Sequence, residues 1–232
     1  MMDFLLSLDW SPLFITLRSG ILATAVCFIL GIPAAAAVMR LGGKKAAVID
    51  GLFTLPMILP PTAAGFLLLL VFSRRRPFGM FLHDRFGIQI VQTPAACVIA
   101  ASVIALPLMY RNARAAFELI DPDLIHAART LGMREGEIFR KIILPNAGPG
   151  LFSGAILTFA RSMGEYGATS MLAGNIAGRT GTIAQRIAMV LQDGDYGTAG
   201  FWVVVVLILG FVLMTAAGAV YGHFHKGKGK RW

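Results

Sequence analysis

The chain has 232 residues, 56% of them hydrophobic and only 14% charged, against about 25% charged in soluble domains. That deficit excludes an ordinary water-soluble domain and points to a chain written for lipid. The net charge of +9 is not a nucleic-acid footprint, because no base-stacking aromatics interleave with the basic clusters. In a membrane protein, Lys and Arg instead mark the cytoplasmic side.

The chain opens on MMDFLLSLDW, with Asp3 and Asp9 and no positive leading region, so no cleavable signal peptide is expected. Five apolar segments follow: about Leu13–Met39, Gly51–Phe72, about Thr93–Tyr110, about Ile142–Ala160 continuing past Arg161 and Glu165 to about Leu172, and about Gly197–Tyr221. Each is long enough to cross about 30 Å of hydrocarbon as a helix. Because helices satisfy their own backbone polar groups, the expected fold is an all-α integral membrane bundle of about five spans, one transmembrane domain over residues 1–232. Pro33, Pro56, Pro60, Pro61 and Pro107 fall inside these spans and kink them. The LPMILPP run at 55–61 reads as an irregular, protein-buried helix. Packing and the lining of a pathway account for it equally well. Cys27 and Cys97 lie in apolar runs and read as small buried hydrophobes.

The loops after spans one and three and the C-terminal tail hold thirteen Lys and Arg. The other two loops hold six, among them the Arg74-Arg75-Arg76 cluster. The larger group is expected in the cytoplasm, which puts the N-terminus outside and the C-terminus inside. The most charged stretch, HAARTLGMREGEIFRKIILPNAGPG at 126–150, then faces the cytoplasm. Asp121-Pro122-Asp123 reads as a helix start. Ala127, Ala128 and Leu131 are expected on one face, and Gly132 as the left-handed stop. A second short helix, about Glu135–Ile143, is expected to stop at Pro145. Small residues on an exposed face permit close approach of a partner's groove, although a solvated connector gives the same pattern.

This spacing resembles the EAA motif of ABC importer permeases: E-A-A, three residues, G, nine residues, I-x-L-P. Here it reads His126-Ala127-Ala128, Gly132, then Ile142-Ile143-Leu144-Pro145, with His126 in place of the usual Glu. The resemblance implies that 118–145 is a cytoplasmic coupling loop, with His126, Ala127, Ala128, Gly132, Ile142, Leu144 and Pro145 docking on an ATPase subunit. A phosphate-binding loop needs G-x-x-x-x-G-K-[ST] between strand and helix. GHFHKGK at 222–228 has Gly229 in place of the Ser or Thr and reads as a solvated basic tail. ATP and Mg are therefore expected on the partner, and no cofactor or metal on this chain.

Arg161 and Glu165 interrupt the fourth span four residues apart. They read either as a neutralising pair that fixes packing or as a bias of the pathway toward an anion. Gly150 and Gly154 have small-xxx-small spacing, which serves contacts within a subunit or across a dimer equally. The run from Ala160, ARSMGEYGATSMLAGNIAGRTGTI, is similar to permeases of the molybdate and sulfate importer group, nearest the molybdate form, with Ala177 where that form has proline. The resemblance implies a type I importer permease fold in the inner membrane and alternating-access transport of molybdate, with tungstate as a co-substrate. It implies a second copy of the chain, two ATPase subunits, and a periplasmic or surface-attached molybdate-binding protein. Arg161, Ser162, Glu165, Tyr166 and Thr169 are the candidate pathway residues. A sulfate or thiosulfate importer is the nearest alternative. An ATP-independent channel and a membrane-embedded enzyme are the alternatives of another class. The enzyme is disfavoured because His83, His126, His223 and His225 all lie away from span centres and no G-x-S-x-G occurs.

Overall fold

The computed structural model describes residues 8–226. Every regular element among them is a helix: α1 (Ser11–Arg40), α2 (Gly43–Thr54, continued by a 3-10 turn at Leu55–Met57), α3 (Pro61–Phe72), α4 (Pro77–Phe86), α5 (Pro94–Glu118), α6 (Pro122–Thr130), α7 (Glu135–Met163), α8 (Gly167–Ala173), α9 (Ile183–Gln192) and α10 (Tyr196–Lys226). A proline in the first turn opens α1, α3, α4, α5 and α6. Its fixed φ suits that turn, and its missing N–H would have had no partner there. Asp3 lies outside the described residues, as do Lys228, Lys230 and Arg231 and the end of the GHFHKGK run.

Helices α1, α5 and α7 pack against one another as the centre of the bundle, and α10 lies against α7 and α9. Their shared core is rich in alanine. Ala35, Ala105, Ala113, Ala116 and Ala147 are buried around Met109 and Tyr110. Small side chains let the axes approach, which is how helices associate when no water is available to drive them together. Ile49, Phe53, Ile125 and Phe139 join this cluster. The loop after α1 and the segment around α6 therefore share one end of the bundle, called here the lower end. At the upper end a second cluster joins Ala96, Ala100, Ala168 and Leu172.

The bundle departs from the sequence expectation in four places. Gly51–Phe72 is not one continuous span: α2 and α3 are bent by 105° at Ile58–Pro60. Two successive prolines without N–H groups cannot carry the helical ladder across. Nor is that run buried within the chain, since Ile58 is 83% exposed. Second, α7 does not stop at Pro145 but runs without interruption from Glu135 to Met163. A π turn at Phe139–Ile143 shifts the Leu144 N–H onto the Phe139 carbonyl. This widening makes room for the proline ring, and the Asn146 side chain donates to the Ile142 carbonyl at 2.8 Å. Third, the fourth span ends at Met163 rather than near Leu172, and a break at Gly164–Tyr166 separates it from α8. The third span also runs further than its apolar stretch, to Glu118.

The structure also places the small-residue pair. A Cβ at Gly150 would lie 2.6 Å from Ala116 Cβ, and one at Gly154 would lie 2.7 Å from Asn112 Cβ. The two glycines seat α7 on α5 inside the chain. Gly154→Val is therefore expected to cost about 1–3 kcal/mol, the range for overpacking a tight contact, read as a lower thermal unfolding midpoint in detergent. Unchanged stability with loss of a dimer would instead assign the glycines to a contact between copies.

Candidate coupling surface and translocation pathway

At the lower end, α6 is built from its own ends. The Asp121 carboxylate accepts from the Asp123 N–H at 2.9 Å and caps the start. At the finish, Met133 N–H bonds to Ala128 O and Gly132 N–H to Arg129 O, with Gly132 at φ +79°. This is a Schellman stop, and it requires the left-handed conformation at Gly132. The Arg129–Glu135 ion pair, 2.7 Å, bridges α6 to the start of α7. Hydrogen bonding to Arg129 also holds the Glu135 carboxyl below the usual range.

The predicted face of Ala127, Ala128 and Leu131 divides in the structure. Ala128 is turned inward and buried, while Ala127 and Leu131 face outward. The outward apolar stripe is Leu124, Ala127 and Leu131, at i, i+3 and i+7, the spacing of a helix that seats in a groove. Leu124 was missed because the motif begins at His126; counting apolar residues back by three finds it. His126, Gly132 and Pro145 are exposed, and Ile142 and Leu144 are half-buried. A carboxylate overlooked in the sequence ties α2 to α5 beside this surface. Asp50 accepts from the Tyr110 hydroxyl at 2.9 Å and pairs with Arg114 at 2.7 Å, while Phe53 stacks on Tyr110. An acid inside AAVIDGLF was the available signal.

The second candidate site lies where the two interrupted elements meet. A Cβ at Gly167 would fall 2.9 Å from Pro61 Cβ, and one at Gly65 would fall 2.7 Å from Ala168 Cα. The α7–α8 break thus sits on the α2–α3 break. Glu165 is 2% exposed; one carboxylate oxygen accepts from Ala168 N–H at 2.8 Å and the other pairs with Arg161 at 2.9 Å. The Arg161 side chain remains 37% exposed. It lines a cavity of about 210 Å³ with Pro56, Met57, Leu59 and Pro61. The LPMILPP run and Arg161, read separately in the sequence, border one space. Tyr166 is exposed beside the break. Ser162 and Thr169 are buried, with the Ser162 hydroxyl donating to Thr158 O at 2.8 Å.

The GNIAGRTGTI stretch, which carried the resemblance to the molybdate form, folds into a staple of buried polar contacts at the upper end. Thr180 accepts from Ile176 N–H at 3.0 Å, and Gln185 donates to Gly174 O at 2.8 Å. Thr182 and Gln185 form a capping box on α9, and Ile183 N–H bonds Thr16 on α1 at 2.9 Å. Thr180, Thr182 and Gln185 are all buried. These three side chains lock the loop, while Asn175, Ala177, Gly178 and Arg179 of the same stretch are exposed.

The family described as "Binding-protein-dependent transport system inner membrane component" matches residues 7–229. A molybdenum transport system permease protein, ModB of Escherichia coli (strain K12), is 38% identical over 193 residues, covering 82% of this chain and 84% of its own. YvgM of Bacillus subtilis (strain 168), provisionally named a molybdenum transport system permease protein, is 36% identical over 205 residues, covering 88% and 90%. Among solved structures, a chain of the MetNI methionine ABC transporter in inward-facing conformations superposes with a TM-score of 0.72 at 20% identity, covering 91% of this chain and 94% of its own. At that identity the likeness speaks for the fold.

Glu165 is the residue on which the break depends. Glu165→Ala is expected to lose about 1–3 kcal/mol, since it leaves the Ala168 N–H and the Arg161 guanidinium unmet. Glu165→Gln keeps an acceptor and loses less. Thermal unfolding of both variants in detergent checks the order. Equal midpoints would show that the carboxylate does not hold the break.

Proposed function

We propose that this chain, which belongs to the family of binding-protein-dependent transport system inner membrane components, moves molybdate inward, with tungstate as a co-substrate. It is a multi-pass inner-membrane permease of the ABC importer type and not itself an enzyme. The relatives named as molybdenum permeases support the substrate. The observation that carries the mechanism is the meeting of two helix breaks at Arg161. Discontinuous helices whose irregular backbone borders a cavity are how membrane transporters build solute sites.

In this reading two copies of the chain flank the pathway, and a binding protein delivers the oxyanion at the upper, outer end. Two ATPase subunits hold the α6 knuckles in their grooves through Leu124, Ala127 and Leu131. The N-terminus is outside and the C-terminus in the cytoplasm. Closure of the ATPase pair shifts α6. The Arg129–Glu135 pair and the Gly132 turn pass that shift to α7. As α7 is continuous over 29 residues, it acts as a lever about 43 Å long, from the knuckle to the break beside Arg161. The π turn is what lets that lever run through Pro145.

Arg161 and Tyr166 present the polar groups facing the solute. Glu165, buried behind Arg161, moderates the guanidinium's field. An anion is attracted but not trapped, as transit requires. Ser162 and Thr169 are buried on either side of the break.

Two measurements test the reading. Proteoliposomes holding the permease, its ATPase and its binding protein should take up molybdate only with ATP, with sulfate competing poorly. ATP-independent flux would make the chain a channel, and preferred sulfate uptake would change the cargo. Second, Ala127→Cys should crosslink to the ATPase while Ala128→Cys, facing inward, should not. Ala127→Arg should lower ATP-linked uptake about tenfold or more, the cost of a charge in a docked groove, without moving the unfolding midpoint.

A further inference from the structure

The upper half of the bundle carries a groove away from the Arg161 cavity, with no lining residue in common. It lies between α1 and α5, with a volume of about 590 Å³. Leu22 and Val26 line it from α1 and Val98 from α5. Arg18 and Arg179 stand on its lining as the charged groups. A second cavity of about 190 Å³ shares Val26 and Val98 and continues downward to Leu30 and Leu106. The two together form a trough. From Arg18 to Leu30, α1 rises about 18 Å, close to the ~15 Å that one leaflet contributes to the hydrocarbon core.

Both arginines are exposed, and among the described residues no carboxylate forms an ion pair with either. Arg18 belongs to a membrane-crossing helix, with Arg179 on the turn above it. That turn is held by the Arg179 N–H to Ile176 O bond at 3.1 Å and by the staple around Thr180. The position of the second cation is thus fixed by buried polar contacts. The trough combines a rim of one sign at headgroup depth with an apolar floor one leaflet long. A free oxyanion would use the rim and have no need of the floor. A zwitterionic phospholipid offers the rim the same phosphate but brings an ammonium group that adds a third positive charge beside Arg18 and Arg179.

We infer that this trough is a binding site for an anionic phospholipid of the upper leaflet. The phosphate sits between Arg18 and Arg179, whose planar forks match phosphate oxygens. One acyl chain lies along Leu22 and Val26 toward Leu30. The site rests on membrane insertion alone and does not depend on which solute is carried.

Native mass spectrometry of the assembled full-length transporter tests this, with phosphatidylglycerol and phosphatidylcholine of identical acyl chains as probes. Phosphatidylglycerol is expected to be retained about fivefold or more over phosphatidylcholine, about 1 kcal/mol, because the choline cation is repelled by the two arginines while the phosphate contacts are common to both. The exposed double variant Arg18→Ala/Arg179→Ala should fall to the phosphatidylcholine level. Val26→Trp, which fills the floor, should reduce retention of both lipids. Equal retention of the two lipids by the unmodified chain overturns the proposal, as does displacement of bound phosphatidylglycerol by free molybdate. Loss of the dimer in Val26→Trp with lipid retention unchanged also overturns it and assigns the trough to a second copy.

Discussion

A helix broken inside a membrane leaves backbone groups that hydrocarbon cannot satisfy. Two such breaks occur among the described residues; each is capped by its own neighbours, and the structure packs one against the other. Gly167 lets the start of α8 rest on Pro61, and Gly65 lets α3 rest on Ala168. The Glu165 carboxylate takes the Ala168 N–H and holds Arg161 at the same time. With the breaks seated together, the arginine has a buried counter-charge behind it and a cavity in front. The rest of the bundle holds that arrangement in place.

The same economy operates at the lower end. The knuckle needs rigid attachment to something long. Proline at 145 would ordinarily end the helix that provides it. A single π turn shifts one hydrogen bond and keeps α7 whole. The Asp50–Tyr110–Arg114 contacts then fix α2 to α5 close to the knuckle. One unbroken helix, α7, thus joins the α6 knuckle to the α7–α8 break, while the neighbouring limb of the bent α2–α3 element is tied to α5.

The stretch that most resembles a particular solute class proves to be a structural lock. Thr180, Thr182 and Gln185 are buried and fully occupied in joining the α8–α9 turn to α1 and α9. A sequence pattern can thus mark a group of permeases by its scaffold without touching the solute.

Residue order alone determined the helical class, the long apolar spans α1, α5 and α10, the proline-led start of α6 with its Asp121 cap, and the Gly132 stop. These follow from composition, backbone chemistry and contacts within one or two turns, which are local. It did not determine which of Ala127 and Ala128 faces outward, whether Gly150 and Gly154 pack within the chain, or where the fourth span ends. Those outcomes depend on what lies across from each residue, such as Asn112 opposite Gly154 and Pro61 opposite Gly167. The same prolines that predict a kink in isolation bend one element by 105° and leave another intact. At Pro145 a π turn and the Asn146 side chain carry the ladder on within α7 itself, whereas Pro60 and Pro61 remove two N–H groups in succession; for the α6 face, the paired glycines and the α7–α8 break the deciding neighbour lies on another element, and only tertiary structure supplies it.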